Sequence, residues 1–324
     1  MLPTSASAID IPALIRSTNL ILNGVRDHDA DIPFRVFGSA ALALRCPENI
    51  NLWHKTNRDP IRDIDIVTLP EYRARLRKAL KEVGFLEDTN SIATNAQYQR
   101  LYFRRIDLPF WVEVHSAPLI FHHKIYLGKS LSADPATLTP ADLAISKLQW
   151  KDLSNNNAQI DVVNLRQERE RLTKNEEIKA AYDIERKMRL YAENTSQLID
   201  LSVLFAEYPT VHNGEASGIS IHRFLSLTRR DWGLWITLQK NLQSLEIFVS
   251  QMFPESDYVN LGSTILGRIA DLRSAISILS ETSINWKIQS ILHRIIPERL
   301  YPIGYPVEEP QADIWRGVEL GEVR

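Results

Sequence analysis

The sequence predicts an α+β fold: a mixed sheet flanked by helices in the first half, followed by an all-α second half. Three observations carry this. Short apolar, strand-like blocks alternate with helical segments up to about residue 165; beyond that point the apolar spacing is helical; and the stretch YPIGYPVEEPQADIWRGVELGEVR at the end is acidic and interrupted by proline. The expected division is a mixed unit over 1–165, a helical domain over 166–300 and an extended acidic tail over 301–324.

Taken in order, Pro12 suits a first helical turn, and Leu14, Ile15, Ile21 and Leu22 fall near helical spacing, with Gly24 as the expected stop. Phe34–Phe37 reads as a short buried strand, Gly38-Ser39 as a turn, and Ala40–Arg45 as a helix halted before Pro47. Residues 50–62 read as a polar, irregular insertion whose Trp53, His54 and Lys55 could cover a site or touch substrate. The strand that follows, within RDPIRDIDIVTL, carries Asp63 and Asp65 at alternate positions, although aspartate is depleted in strands. Pro70 opens a helix capped by Gly84, and two strands follow, one over Tyr98–Arg105 and one over Phe110–His115. Thr139, Pro140 and Asp142 spell the start of another helix, in which Lys147 lies on the apolar stripe of Leu143, Ala144 and Leu148. A lysine so placed must snorkel to water or meet a negative group. Helical windows recur around Leu198–Phe205, Trp232–Met252 and Leu261–Ser280.

Composition excludes several classes. The 324 residues are 44% hydrophobic and 24% charged, as in ordinary globular proteins, and the formal net charge of -2 gives no global attraction to nucleic acid or membrane. The single cysteine, Cys46, cannot form an intramolecular disulfide or a zinc-type cluster. The start of the chain lacks the pattern of a secretory signal, and no window is apolar enough to span a bilayer, so a cytoplasmic protein with no membrane partner is expected.

Asp63 and Asp65 project from one face of their strand, about 7 Å apart along it. Carboxylates held this way repel each other unless a cation joins them, and Mg²⁺ favours one or two carboxylates together with substrate phosphates. Gly38 permits close backbone approach, and the helix that Gly38-Ser39 opens offers unpaired N–H groups at its positive end, suited to a phosphate. For a third acid the candidates are Glu113 and Asp107; Glu113 is preferred because it lies mid-strand on the face of Trp111 and His115, whereas Asp107 falls at a turn. His115 reads as a hydrogen-bonded neighbour. Arg58 and Arg62 could steady a triphosphate or balance the aspartates. Basic residues cluster in YRARLRKALK and, beside aromatics, in QRLYFRR, while HHKIY reads as structural.

The ordered motifs GSAAL, RDIDIV and FWVEVH resemble the polymerase-β-like nucleotidyltransferase superfamily. Within it, GSAALAL, RDPIRDIDI, SKLQW and QIDVVNL are similar to AbiEii-type and other minimal nucleotidyltransferases, over roughly residues 34–166. Ser39 stands where toxin-like members have a second glycine, and the stretch between Ser39 and Asp63 is longer than usual. The resemblance implies a nucleotidyltransferase fold and transfer of a nucleoside monophosphate from an NTP such as ATP to an acceptor hydroxyl, with release of pyrophosphate. It implies Mg²⁺ or Mn²⁺ on Asp63, Asp65 and Glu113, with Glu113 also placed to activate the hydroxyl. Gly38, Ser39, Arg62, Lys147 and Asp161 are the implied nucleotide-binding positions. RNA or tRNA is the favoured acceptor; an antibiotic, a protein side chain, or a non-catalytic nucleotide-binding or interaction module are the alternatives. An antitoxin partner and the oligomeric state stay open.

Overall fold

The structure is a computed structural model that describes residues 9–56, 58–88, 100–121, 123–131, 136–149, 153, 177–214, 217–229, 231–253 and 259–278. Five strands, β1 (Phe34–Phe37), β2 (Asp63–Thr68), β3 (Leu86–Glu87), β4 (Leu101–Arg104) and β5 (Trp111–Ser116), build one mixed sheet in the order β1-β2-β5-β4-β3. β2 and β5 run parallel; the other pairs are antiparallel. Alternation divides the sheet into two faces. Ile64 and Ile66 of β2, Val112 and Val114 of β5, and Leu101 and Phe103 of β4 are buried in the apolar core, while the residues between them carry the acids, the arginines and the histidine. Segment 136–138 pairs with the outer side of β1, Val36 N–H donating to Ala136 O at 2.9 Å and Leu138 N–H to Val36 O at 3.0 Å, so this edge is closed.

Helix α1 (Ile11–His28) is capped by Asp10, whose carboxylate accepts from Ala13 N–H at 2.8 Å. It does not stop at Gly24. That glycine lies where α1 meets the residues after α4 (Arg73–Glu82), and a Cβ there would come within 2.7 Å of Val83, so its small size serves close packing. α2 (Gly38–Arg45) starts at Gly38 itself, leaving no turn residue between β1 and the helix. The expected insertion forms a helical turn, α3 (Leu52–Lys55), with Trp53 fully buried and His54 and Lys55 exposed. Trp53 is therefore core.

α5 (Pro140–Leu148) begins as its sequence predicts, Asp142 N–H donating to Thr139 Oγ at 3.1 Å and the Thr139 hydroxyl to Asp142 Oδ2 at 2.9 Å, and all of its residues are buried. The long helix α6 (Glu177–Glu207) packs on α2, α3 and α5, joined by α7 (Ile221–Thr228), α8 (Trp232–Met252) and α9 (Val259–Ser277). Between β5 and α5, β6 (Leu119–Ile120) and β7 (Lys124–Ile125) form a short antiparallel pair. The half expected to be all-α also holds a parallel pair of two-residue strands, β8 (Thr210–Val211) and β9 (Ile219–Ser220), too short to show alternation in sequence. Buried residues of both halves join one continuous core. The expected boundary near residue 165 and the tail over 301–324 lie outside the described residues. Among the described residues no helix is long and apolar enough to cross a membrane.

Candidate functional site

The parallel register sets Asp63 beside Trp111 and Asp65 beside Glu113, so the acids of β2 and β5 share the polar face of the sheet. Asp65 also pairs with Phe37, the last residue of β1, and this brings the start of α2 against its carboxylate. Gly38 has φ +65°, and a Cβ added to it would clash with Asp65 Oδ2. Glycine is required on both counts, for the left-handed backbone and for the close approach. Further along β5, the His115 ring packs edge-on to Phe37 at 4.9 Å between centroids. Its Nε2 lies 3.0 Å from Glu113 Oε1 and 3.6 Å from Asp65 Oδ1, yet makes no well-formed hydrogen bond.

Like charges at this spacing perturb one another. Asp63 is an exposed residue at the start of its strand, yet its carboxyl is pushed up to about 7 by the charge of Asp65, by desolvation and by Glu113. Burial alone would raise Glu113, but the His115 imidazole and the Arg100 guanidinium outweigh it and hold the carboxyl well below its usual range. Arg100 donates to Glu113 Oε1 at 2.8 Å, and the Tyr102 hydroxyl lies 3.4 Å from the same oxygen. Burial would lower the His115 imidazole; the Glu113 charge and contacts with Asp65 and Glu113 reverse this and raise it.

The residues fit a divalent cation. Ligand atoms of Asp65, Glu113 and His115 lie within 4.8 Å of one another, with Asp63 adjacent on the same face, and the underbonded His115 nitrogen points at both carboxylates. The carboxylates are hard ligands suited to Mg²⁺, while the imidazole also suits Mn²⁺ and later divalent ions.

Behind the Gly38-Ser39 start of α2 sits a second, cationic cluster centred on Asp200 of α6. Asp200 is fully buried and accepts from Arg58 Nε at 2.6 Å and Nη2 at 2.9 Å, from Lys147 Nζ at 2.6 Å and from the Ser39 hydroxyl at 2.8 Å. Arg58 also reaches the Ser39 oxygen at 2.6 Å and lies over the Trp53 ring, 4.9 Å from its centroid. Burial would raise the Asp200 carboxyl; Arg58 and Lys147 override it and hold it far below the ordinary aspartate range. Lys147 therefore pairs with an acid and does not snorkel.

Of the positions singled out in the sequence, Asp65, Glu113 and Gly38 meet at the acidic cluster with His115, Asp63 lies on the same sheet face outside that close set, and Ser39 and Lys147 meet at Asp200. Arg58 is the arginine that joins this second cluster. Arg62 is exposed, and its carbonyl accepts from Trp111 N–H at 2.9 Å. Asp107 is paired with Arg105 at an exposed turn, 2.8 Å away, and lies apart from the other acids in the sheet register. Asp161 lies outside the described residues. Asp200 was missed by sequence reasoning, although an aspartate inside the largely apolar window LIDLSVLF is a signal, since a charge buried there must be paired.

The chain matches no known family model, no curated protein and no solved structure.

Proposed function

We propose that this chain is a divalent-metal-dependent nucleotidyltransferase of the kind that its motifs resemble, moving a nucleoside monophosphate from an NTP to an acceptor hydroxyl and releasing pyrophosphate. The observation that carries the reading is the contact of Gly38, at the positive end of α2, with the Asp65 carboxylate, in register with Glu113. An anion-binding helix start and a carboxylate cluster that calls for a cation adjoin, as a metal-bound triphosphate requires.

In this reading Asp63, Asp65 and Glu113 hold the cation, with His115 beside them. When bound, the cation neutralises charge that develops on the transferring phosphoryl group. The N–H groups at the start of α2, that of Ser39 among them, orient the phosphates, while the Ser39 hydroxyl is given to Asp200. Arg58 and Lys147 share one counter-charge in Asp200, so one positive charge of the cluster is left to attract them. Glu113, kept ionised by Arg100 and His115, serves better as an anionic ligand than as a strong base. Catalysis is then largely positioning and electrostatic preorganisation. RNA or tRNA is the favoured acceptor.

Incubation with each labelled NTP, Mg²⁺ or Mn²⁺ and total RNA is expected to transfer label, and Asp63→Ala and Asp65→Ala to abolish transfer. Absence of transfer to RNA or lysate, together with absence of metal-dependent NTP binding, would refute the reading.

A further inference from the structure

The polar face of the sheet continues past the carboxylates into residues that phosphate and metal binding leave unused. The register aligns Asp63, Trp111 and Arg104 in one row across β2, β5 and β4, and Asp65, Glu113 and Tyr102 in the next. Directly paired residues point to the same face. Trp111 is 39% exposed, whereas Glu113 and His115, further along the same strand face, are almost covered. The exposed Arg104 places its guanidinium carbon 5.9 Å from the indole centroid. An exposed aromatic side chain coupled to an arginine, on the same sheet face as an acidic centre, has the composition of a nucleic-acid stacking platform.

Strand order tells which substrate meets it. The start of α2 lies at the end of β1, the aspartates on β2, Glu113 and Trp111 on β5, and Arg104 on β4. If the triphosphate binds at α2, the acceptor enters from the β5–β4 side. We propose that Trp111 and Arg104 form the acceptor subsite: the indole stacks a nucleobase of a single-stranded nucleic-acid end, and Arg104 pairs with its backbone phosphate. This rests on the nucleotidyl-transfer reading for the direction of entry, while the stacking itself depends only on the exposed pair.

The test measures binding of a short single-stranded oligoribonucleotide, fluorescently labelled at the end away from its free terminal hydroxyl, to the full chain. Trp111→Ala is expected to weaken binding about five- to a hundredfold, the range of one stacked base, and Trp111→Phe to restore most of it. An abasic strand of equal length should bind wild type as weakly as the intact strand binds Trp111→Ala. Arg104→Ala should reduce the slope of log affinity against log salt by about 0.7. Metal-dependent NTP binding should be unchanged in Trp111→Ala, and its thermal unfolding should stay cooperative. Equal affinity of wild type and Trp111→Ala, or no preference for the intact strand over the abasic one, overturns the subsite. Binding of NTP without binding of the oligonucleotide also overturns it, leaving the transferase reading intact. Trp111-dependent binding of the strand without any NTP binding sustains the subsite and sinks the transferase reading instead.

Discussion

Asp200→Asn probes a contact that ties the helical half to the Gly38-Ser39 start of α2. The carboxylate takes four hydrogen bonds, from Arg58 Nε and Nη2, Lys147 Nζ and Ser39 Oγ. Side-chain exposure is 6% for Arg58, 5% for Lys147 and 0% for Asp200. An amide keeps one acceptor oxygen, presents an N–H₂ group to cations, and leaves two buried positive charges without their counter-charge. Breaking a buried pair from one side costs about 3–5 kcal/mol, and that is the loss expected at neutral pH in urea unfolding followed by circular dichroism. The pH dependence gives a second reading of the same contact. A depressed carboxyl stabilises fully above its unfolded pKa of about 4, and that contribution fades as pH falls toward the folded value. The gap between wild type and variant should therefore be constant from neutral pH to about 5 and narrow below about 4. Removing Lys147 as well, as Lys147→Met in the Asp200→Asn background, should cost less than the two single losses together by about 1–3 kcal/mol. A single-variant loss below about 1 kcal/mol, or losses that simply add, would show that Asp200 does not balance these cations.

Gly38→Ala forces a side chain into a left-handed backbone position against Asp65; it should destabilise by about 1–3 kcal/mol and abolish metal-dependent NTP binding measured by calorimetry. Because the fold raises the Asp63 carboxyl to about 7, the metal-free protein should lose stability as pH climbs from about 4 toward that value. The folded state binds the extra proton in that window. Melting curves should show the slope flattened by Mg²⁺ or Mn²⁺ and removed in Asp63→Asn. Trp53→Ala should cost about 3–5 kcal/mol in urea unfolding, as for a buried aromatic in a core; a near-neutral outcome would show that Trp53 does not fill the core.

What the sequence made legible was governed by local rules. The β2 and β5 strands, the Thr139–Asp142 start of α5 and the pairing face of Asp65 and Glu113 follow from alternation and capping, which act over a few residues. What it hid depended on distant packing. Gly24 resembles a helix stop in isolation, but it sits inside α1 because Val83 lies against it. Trp53 reads as part of an insertion that could cover a site or touch substrate, yet it fills core beneath Arg58. His115 reads as a neighbour of Glu113 on its own strand; only the parallel pairing of β5 with β2 brings it within reach of Asp65 as well. Asp200 was hidden for the same reason: its partners Arg58 and Lys147 lie far earlier in the chain.

That separation constrains how the two halves can be regarded. The sheet half supplies Ser39, Arg58 and Lys147, but the charge that lets Arg58 and Lys147 be buried comes from α6. Asn49 and Tyr208 add to the join, Asn49 Nδ2 donating to Glu207 Oε2 at 2.8 Å and the Tyr208 hydroxyl to Arg45 O at 3.0 Å. A chain cut after residue 149 would keep the acidic cluster and leave the cationic one uncompensated, at a cost of about 3–5 kcal/mol for the lost pairing alone, a large part of the usual 5–15 kcal/mol stability of a domain. The fragment is therefore expected to lose cooperative thermal unfolding, and a fragment resuming before α6, added in trans, should restore it. A sheet-half fragment that melts cooperatively by itself would show that α6 is an accessory to the site and that Asp200 is dispensable for holding its cations in place.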